Sequence, residues 1–465
     1  MTPARQVALT LALVTAIKVV LAAQLELTSL EAYYWLYGRH PALGYFDHPG
    51  MVGWMTWLST ALFGHSTLGV RMIPVLGGTL GAWLAFLGAR RLYGDGAGRM
   101  AALLVALMPM TFIHSTEATP DAPLLLFWSA TLWALANALS GKSAAWWYAA
   151  GAFLGAAMLS KYSGVLLAVG TLGFVVFSPD HRAWLKRREP YAAVLIALAV
   201  FSPTLIWNAQ HGWRSITYQG LSRFDEPTFR LKYLYEFPGT QLALVTPIVC
   251  LWAWGAGIVT VAKWRTAAWQ DRLAASLGLP LLVLIYGLAV TRSVRGHWTA
   301  PAYAAAFVLA AGVVERGGAW GRRLHAATLA VAGVALVIAP IVFALLPREQ
   351  RAPWAALAGE VRARRADFVI AADYHDAAQM AWHLRPIEGA DWTAVGAGNK
   401  AFPDWWEPSR HRGQRAVILW RSGDTVELDL IRARFERVGW PETVTVTRFP
   451  GKKENYVLVV AEGYR

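Results

Sequence analysis

Long apolar runs dominate the chain, and short polar breaks separate them. Eleven runs are long and apolar enough to be read as membrane spans, at roughly 6–26, 68–92, 98–114, 121–140, 144–160, 161–178, 190–209, 238–262, 273–291, 298–314 and 324–346. The stretch "GMVGWMTWLSTALF", 50–63, is too short to span comfortably and predicts an interfacial or re-entrant helix. The first run, Val7 to Leu25, has no small-residue cleavage site after it, so it predicts a retained span rather than a removed leader.

After Leu346 the pattern changes. Charged residues become frequent, and "ADFVIAADY", "RAVILW", "VTVTRF" and "NYVLVVAE" read as strands with helical stretches between them. The expected architecture is an α-helical polytopic membrane protein of about 11 transmembrane helices, residues 1–350, followed by a small α/β domain, residues 351–465. No fixed-period repeat and no low-complexity tract is present.

Composition sharpens this picture. Charged residues make up 15% of the 465 and mean hydropathy is +0.37, where a soluble domain carries about 25% charged residues. Trp is abundant, at 24 residues, and many lie near the ends of apolar runs, as in an interfacial belt. The formal charge of +14 does not point to nucleic acid, because the basic residues are scattered through short loops. With the N-terminus cytoplasmic, five alternate loops (90–99, 140–146, 178–190, 263–272 and 315–323) together hold 14 Lys and Arg, a consistent inside bias. The other side then receives 27–66, 114–121, the turn near Lys161, 210–237, 292–297 and the C-terminal domain. Cys250 is the lone cysteine, so intrachain disulfides and cysteine metal clusters are excluded.

The chemistry concentrates in these outer breaks. The first outer loop, 27–66, holds Glu31, Asp47 and His48, with Arg39 and four tyrosines in its first two dozen residues. The second holds His114, Glu117 and Asp121 in "HSTEATPDAPL". "LSKYSG" holds Lys161, and "RSVRGHWTAPAY" holds Arg292, Arg295 and His297. Ionisable groups at span ends are costly against lipid and usually face a cavity or water. Cations there suit a phosphate, and a neighbouring carboxylate suits a general base. Nucleotide donors are scarce outside the cytoplasm, so an outward-facing transferase needs a donor that travels in the membrane. A polyprenyl-phosphate sugar meets that need.

Each residue also has a plainer reading. Glu31 suits the start of a loop helix, Asp47 an Asx-turn, Asp121 a helix cap and Lys161 a snorkelling span end. Arg292 reads equally as a span-end residue, and Tyr33, Tyr34 and Trp35 as packing rather than sugar stacking. "ADYHDAAQMAWH", 372–383, reads as a solvated helix face. No spacing makes a convincing metal site, and a divalent metal is left open.

"EAYYWLYGRHPALGYFDHPGMVGW", "TPDAPLLLFW", "LSKYSGVLL", "SPTLIWNAQHGW" and "RGHWTAPAY", in this order over about residues 1–310, resemble the GT-C glycosyltransferases of the protein-mannosyltransferase family. The resemblance is closest to bacterial members similar to the aminoarabinose transferases of lipid A. It implies an inverting sugar transfer from a polyprenyl or dolichyl phosphate to an extracytoplasmic lipid A, other glycolipid, polysaccharide or protein, in a bacterial inner membrane. The family's first loop carries an Asp-Glu pair, which here reads Leu30-Glu31. By the same resemblance Glu31, Asp47 and Asp121 are candidate catalytic residues, and His48, Lys161, Arg292, Arg295 and His297 candidate donor-phosphate ligands. Leu30, standing where the family has an acid, leaves open a catalytically degenerate binder of lipid-linked sugars. A transporter is the remaining alternative, disfavoured by the absence of repeated halves.

Overall fold

In the computed structural model the described residues are 1–222, 229–345, 352–385, 392–394, 401–405, 407–424, 426, 428–448 and 451–465. The chain forms two compact units, one of Met1–Ala22 with Ala42–Ala339, the other of Ala23–Pro41 with Pro340–Arg465. The expected outer loop 27–66 is therefore divided between them. The expected domain boundary at 350/351, and residues 223–228 of the loop 210–237, lie outside the described residues.

The first unit is helical. Among the described residues seven helices are long and apolar enough to cross a membrane: Pro3–Gln24, Thr67–Tyr93, Asp121–Leu139, Arg188–Gln210, Trp269–Ala289, Gly296–Arg316 and Gly321–Ile338. All eleven expected runs are helical, but four are broken or short. The run 98–114 divides at Met108, whose extended backbone (ψ 131) is what a residue before proline prefers, and Pro109 starts the short helix Pro109–His114. The run 238–262 bends by 106° between Tyr233–Val245 and Pro247–Ala262. Lys161, extended at φ −158 and ψ 142, separates Trp146–Ser160 from the helix Val165–Phe177. Those two helices have 15 and 13 residues, below the roughly 20 that a hydrocarbon core requires. Met51–Phe63 is likewise a short apolar helix, as its length predicts.

With lipid outside, helices associate through close packing rather than through the hydrophobic effect. Gly151 and Gly155 meet Ala193 and Ala197 at matching four-residue spacing. A Cβ at Gly151 would stand 2.3 Å from the Ala193 carbonyl oxygen. Larger side chains here would separate Trp146–Ser160 from Arg188–Gln210, and with them Lys161 from its neighbours.

The second unit is built on a mixed sheet of β1 (Phe368–Ala371), β2 (Trp392–Ala394), β3 (Ala416–Arg421), β4 (Phe435–Val438), β5 (Glu442–Arg448) and β6 (Lys452–Tyr464), in the order β2-β1-β3-β6-β4 with β5 also on β6. β1 runs parallel to β2 and β3, and β6 is antiparallel to its neighbours. Phe368, Ile370, Ile418, Trp420, Phe435 and Val459 form a buried core on it. The four expected strands are β1, β3, β5 and β6.

The helix Ser29–Arg39 belongs to this unit. Its Tyr33 ring lies 4.9 Å from Tyr374 and its Trp35 ring 5.2 Å from Trp382. Gln379 Nε2 donates to the Leu27 carbonyl at 2.8 Å. The helix Tyr374–His383, expected as a solvated face, is instead buried along residues 376–382. The packing of Ser29–Arg39 on it explains the difference, and Asp376 meets its burial by pairing with Arg421 at 2.8 Å.

Candidate functional site

Where span ends meet in the first unit, charged side chains turn inward. Asp121 is the first residue of Asp121–Leu139, with Pro120 at the cap position. The carboxylate takes two hydrogen bonds from Lys161 Nζ, at 2.8 and 3.0 Å. Both residues are buried, so Lys161 points into the protein rather than snorkelling. The extended backbone at Lys161 breaks the helix here and lets its side chain reach 40 residues back along the sequence.

His297, in the single turn Gly296–Thr299, brings Nε2 to 3.8 Å from Asp121 Oδ2. The His114 ring lies 4.8 Å from the His297 ring, and His114 Nδ1 is 3.4 Å from Glu117. Arg295 acts electrostatically on His297. Gln241 fixes this turn by donating to the Gly296 carbonyl at 2.9 Å and accepting from the Thr299 hydroxyl at 2.8 Å.

Asp47 and His48, both buried, lie in a tight hairpin. Gly44 and Pro49 form an antiparallel bridge, and the Tyr45 amide donates to the His48 carbonyl at 2.9 Å. Tyr45 is buried against Gly53, where a Cβ would stand 2.1 Å from the phenol oxygen. Burial pushes the Tyr45 phenol above its ordinary value, although a bond from the Ala42 amide acts the other way, so it stays protonated. Gln219 donates through Nε2 to the Asp47 carbonyl, and Phe46 packs on Tyr218 at 4.8 Å. Asp47 acts electrostatically on Tyr162, the residue after Lys161. The Tyr162 hydroxyl is held by Ser215 at 2.8 Å and by Asn208 Nδ2 at 3.2 Å.

The structure thus brings together Asp121, Lys161 and His297, with Arg295 directly before the His297 turn. Arg292 lines a cavity of about 330 Å³ with Tyr233, Glu236, Thr240 and Ser293. Glu31 lies in the second unit, where it closes a capping box. The Thr28 amide donates to Glu31 Oε2 at 2.9 Å and the Glu31 amide donates to Thr28 Oγ1 at 3.3 Å. Tyr33, Tyr34 and Trp35 are buried there too, in ring packing. Tyr162, Asn208, Ser215 and Gln219 were not singled out from the sequence. Tyr162 and Asn208 lie inside quoted motifs, which was the available signal. Among the described residues no three His, Cys, Asp or Glu side chains converge as a metal site requires.

A helical unit with a polar cluster at the ends of its spans, and a small mixed-sheet unit beside it in sequence, define a multi-pass membrane protein. Residues 47–207 match the family model described as dolichyl-phosphate-mannose-protein mannosyltransferase. The structure of ArnT from Cupriavidus metallidurans superposes with a TM-score of 0.66 at 18% identity, covering 99% of this chain and 98% of that one. Its form bound to undecaprenyl phosphate gives 0.68 at 17%, covering 97% and 98%. The chain thus shares the fold of ArnT, and about a third of it matches the mannosyltransferase model. In sequence it is similar to the lipid A galacturonosyltransferase RgtD of Rhizobium johnstonii, 25% identical over 67% of this chain and 65% of that protein. It is also similar to the undecaprenyl phosphate-alpha-4-amino-4-deoxy-L-arabinose arabinosyl transferase of Pseudomonas aeruginosa, 29% identical over 56% of this chain and 42% of that protein. The chain therefore spans under two thirds of the length of either relative.

Proposed function

We propose that this protein is an inverting membrane glycosyltransferase that moves a sugar from a polyprenyl phosphate to an extracytoplasmic acceptor. The observation that carries this reading is the Lys161–Asp121 pair, with His297 and Arg295 beside it, inside a fold that in ArnT holds undecaprenyl phosphate. Lys161, Arg295, His297 and His48 bind the donor phosphate and stabilise it as it leaves. Asp121 aims the Lys161 ammonium through two hydrogen bonds. Asp47 is the base that takes the acceptor proton, a buried carboxylate in the hairpin that Gln219 holds in the same unit as Lys161, whereas Glu31 takes part in a helix cap of the second unit. The acceptor class that the relatives' names support is lipid A.

The proposed location is a bacterial inner membrane with a cytoplasmic N-terminus, supported by the 14 Lys and Arg in the five alternate loops. The test is transfer itself, with purified protein, polyprenyl-phosphate pentoses and hexuronic acids, and lipid A. Release of polyprenyl phosphate that depends on acceptor supports the reading. Leu30 favours one second reading, a binder of lipid-linked sugars, which would bind donor and release nothing.

A further inference from the structure

The helix Pro3–Gln24 carries two charged side chains, Arg5 near its start and Lys18 within its apolar body. Lys18 is 2% exposed. Its ammonium donates to Ser115 Oγ and lies 5.0 Å from the centre of the Phe112 ring. Among the described residues no carboxylate pairs with it. A buried, unpaired charge within a span is costly, and where one occurs it usually has a task.

Satisfying Ser115 is not that task, since the hydroxyl also reaches the Phe112 carbonyl at 3.4 Å. Filling space is not it either, because Leu or Met would fill the same volume without a charge. The feature that matters is where Ser115 stands. It directly follows His114 at the end of Pro109–His114, and the chain then passes through Glu117 to Asp121. The neighbouring helix is notched to receive it, for a Cβ at Gly78 would stand 2.6 Å from Ser115 Cβ. One turn from Lys18 the Thr15 hydroxyl meets the Thr79 hydroxyl at 2.6 Å, which fixes the helix carrying Lys18 to the notched one. The charges acting directly on Asp121 are Lys161, His297 and His114, and Lys18 is not one of them.

We infer that Lys18 is a positioning residue, a membrane-buried anchor that fixes Ser115 and so sets the segment carrying His114, Glu117 and Asp121 against Lys161 and His297. This rests on the proposed polyprenyl-phosphate site and acts through it.

The test compares wild type with Lys18→Met, which keeps the volume and removes the donor, and Lys18→Gln, which restores a neutral donor. Three readings are made on folded, detergent-purified protein: undecaprenyl-phosphate affinity by tryptophan fluorescence from pH 5 to 8, sugar transfer, and hydrogen exchange of residues 109–121. Lys18→Met should weaken donor binding at least about tenfold, as misplaced site groups do, alter its pH profile and speed exchange in 109–121. Lys18→Gln should stay within about threefold of wild type, since it retains the hydrogen bond. Wild-type affinity and pH profile in Lys18→Met overturn the inference, as does Lys18→Gln failing as badly as Lys18→Met. A wild type that binds donor but transfers no sugar counts against the proposed function alone, and the binding results still decide on Lys18. If wild type binds no donor the proposed function fails, and unchanged exchange in Lys18→Met then overturns the inference by itself.

Discussion

Asp121 and Lys161 are each costly to bury alone and tolerable as a pair, so removing one partner leaves a charge in a low-dielectric place. Their roles toward an incoming phosphate are opposite. Lys161 donates to it, while Asp121 competes for the same ammonium. Lys161→Met should therefore weaken undecaprenyl-phosphate binding on the order of 10- to 100-fold, the worth of a charge-assisted hydrogen bond of about 1.5–3 kcal/mol. Asp121→Asn should bind at least as tightly as wild type yet turn over more slowly, because the released ammonium is no longer aimed. Fluorescence titration beside a turnover assay separates the two. Equal loss of binding in both variants would remove the direct role given to Lys161. Much of this pair was legible beforehand, since both residues stand in polar breaks between apolar runs. Lys18 was not, because one lysine scarcely lowers the hydropathy of a run of more than twenty residues, although a lone charge in mid-span is itself a signal.

At the scale of elements, proline and backbone geometry decide how apolar runs are cut. Pro109 cuts the expected span 98–114 in two, while the extended Lys161 falls at the break expected between 144–160 and 161–178. Hydropathy marked the break at Lys161 but not those at Met108 and between Val245 and Pro247, since it averages over the residue that breaks a run. The helix Ser29–Arg39 shows a further limit. "EAYYWLY" announces a buried aromatic face, but the partner that buries it, the helix Tyr374–His383, lies more than 300 residues away.

That partner helix ends in a titratable group. Burial pushes His383 down to about 4, and the Arg385 and Arg362 guanidiniums add to this, outweighing Glu26 at 3.6 Å. The unfolded chain takes up this proton near pH 6.5, so the unfolded state binds more protons below that value and stability falls as pH drops from about 6.5 towards 4. Between pH 7 and pH 5 the loss should be on the order of 2 kcal/mol in denaturant midpoints, and His383→Gln should flatten the slope in that window. An unchanged slope in His383→Gln would remove His383 as its source.

For the whole molecule, the proposed orientation rests on the loop charges and can be tested by labelling. A single cysteine placed at the exposed Arg437 of the second unit, in a Cys250→Ala background, should react with an impermeant maleimide on intact cells. One placed at the exposed Arg187 should react only after lysis. The reverse pattern would invert the proposed orientation. The membrane helices and the mixed sheet were readable from the pattern of apolar runs and strands. The division of the first loop between two units was not, because it depends on tertiary partners rather than on local sequence. The central claim is that this site transfers sugar with Asp47 as base. It is tested most directly by assaying purified wild type, Asp47→Asn and Glu31→Gln with a polyprenyl-phosphate sugar and lipid A. Wild type should transfer sugar with inverted anomeric configuration, Asp47→Asn should lose at least about 100-fold, in the range a general base supplies, and Glu31→Gln should retain transfer wherever it folds. Full transfer by Asp47→Asn, or none by wild type that binds the donor, would contradict the claim.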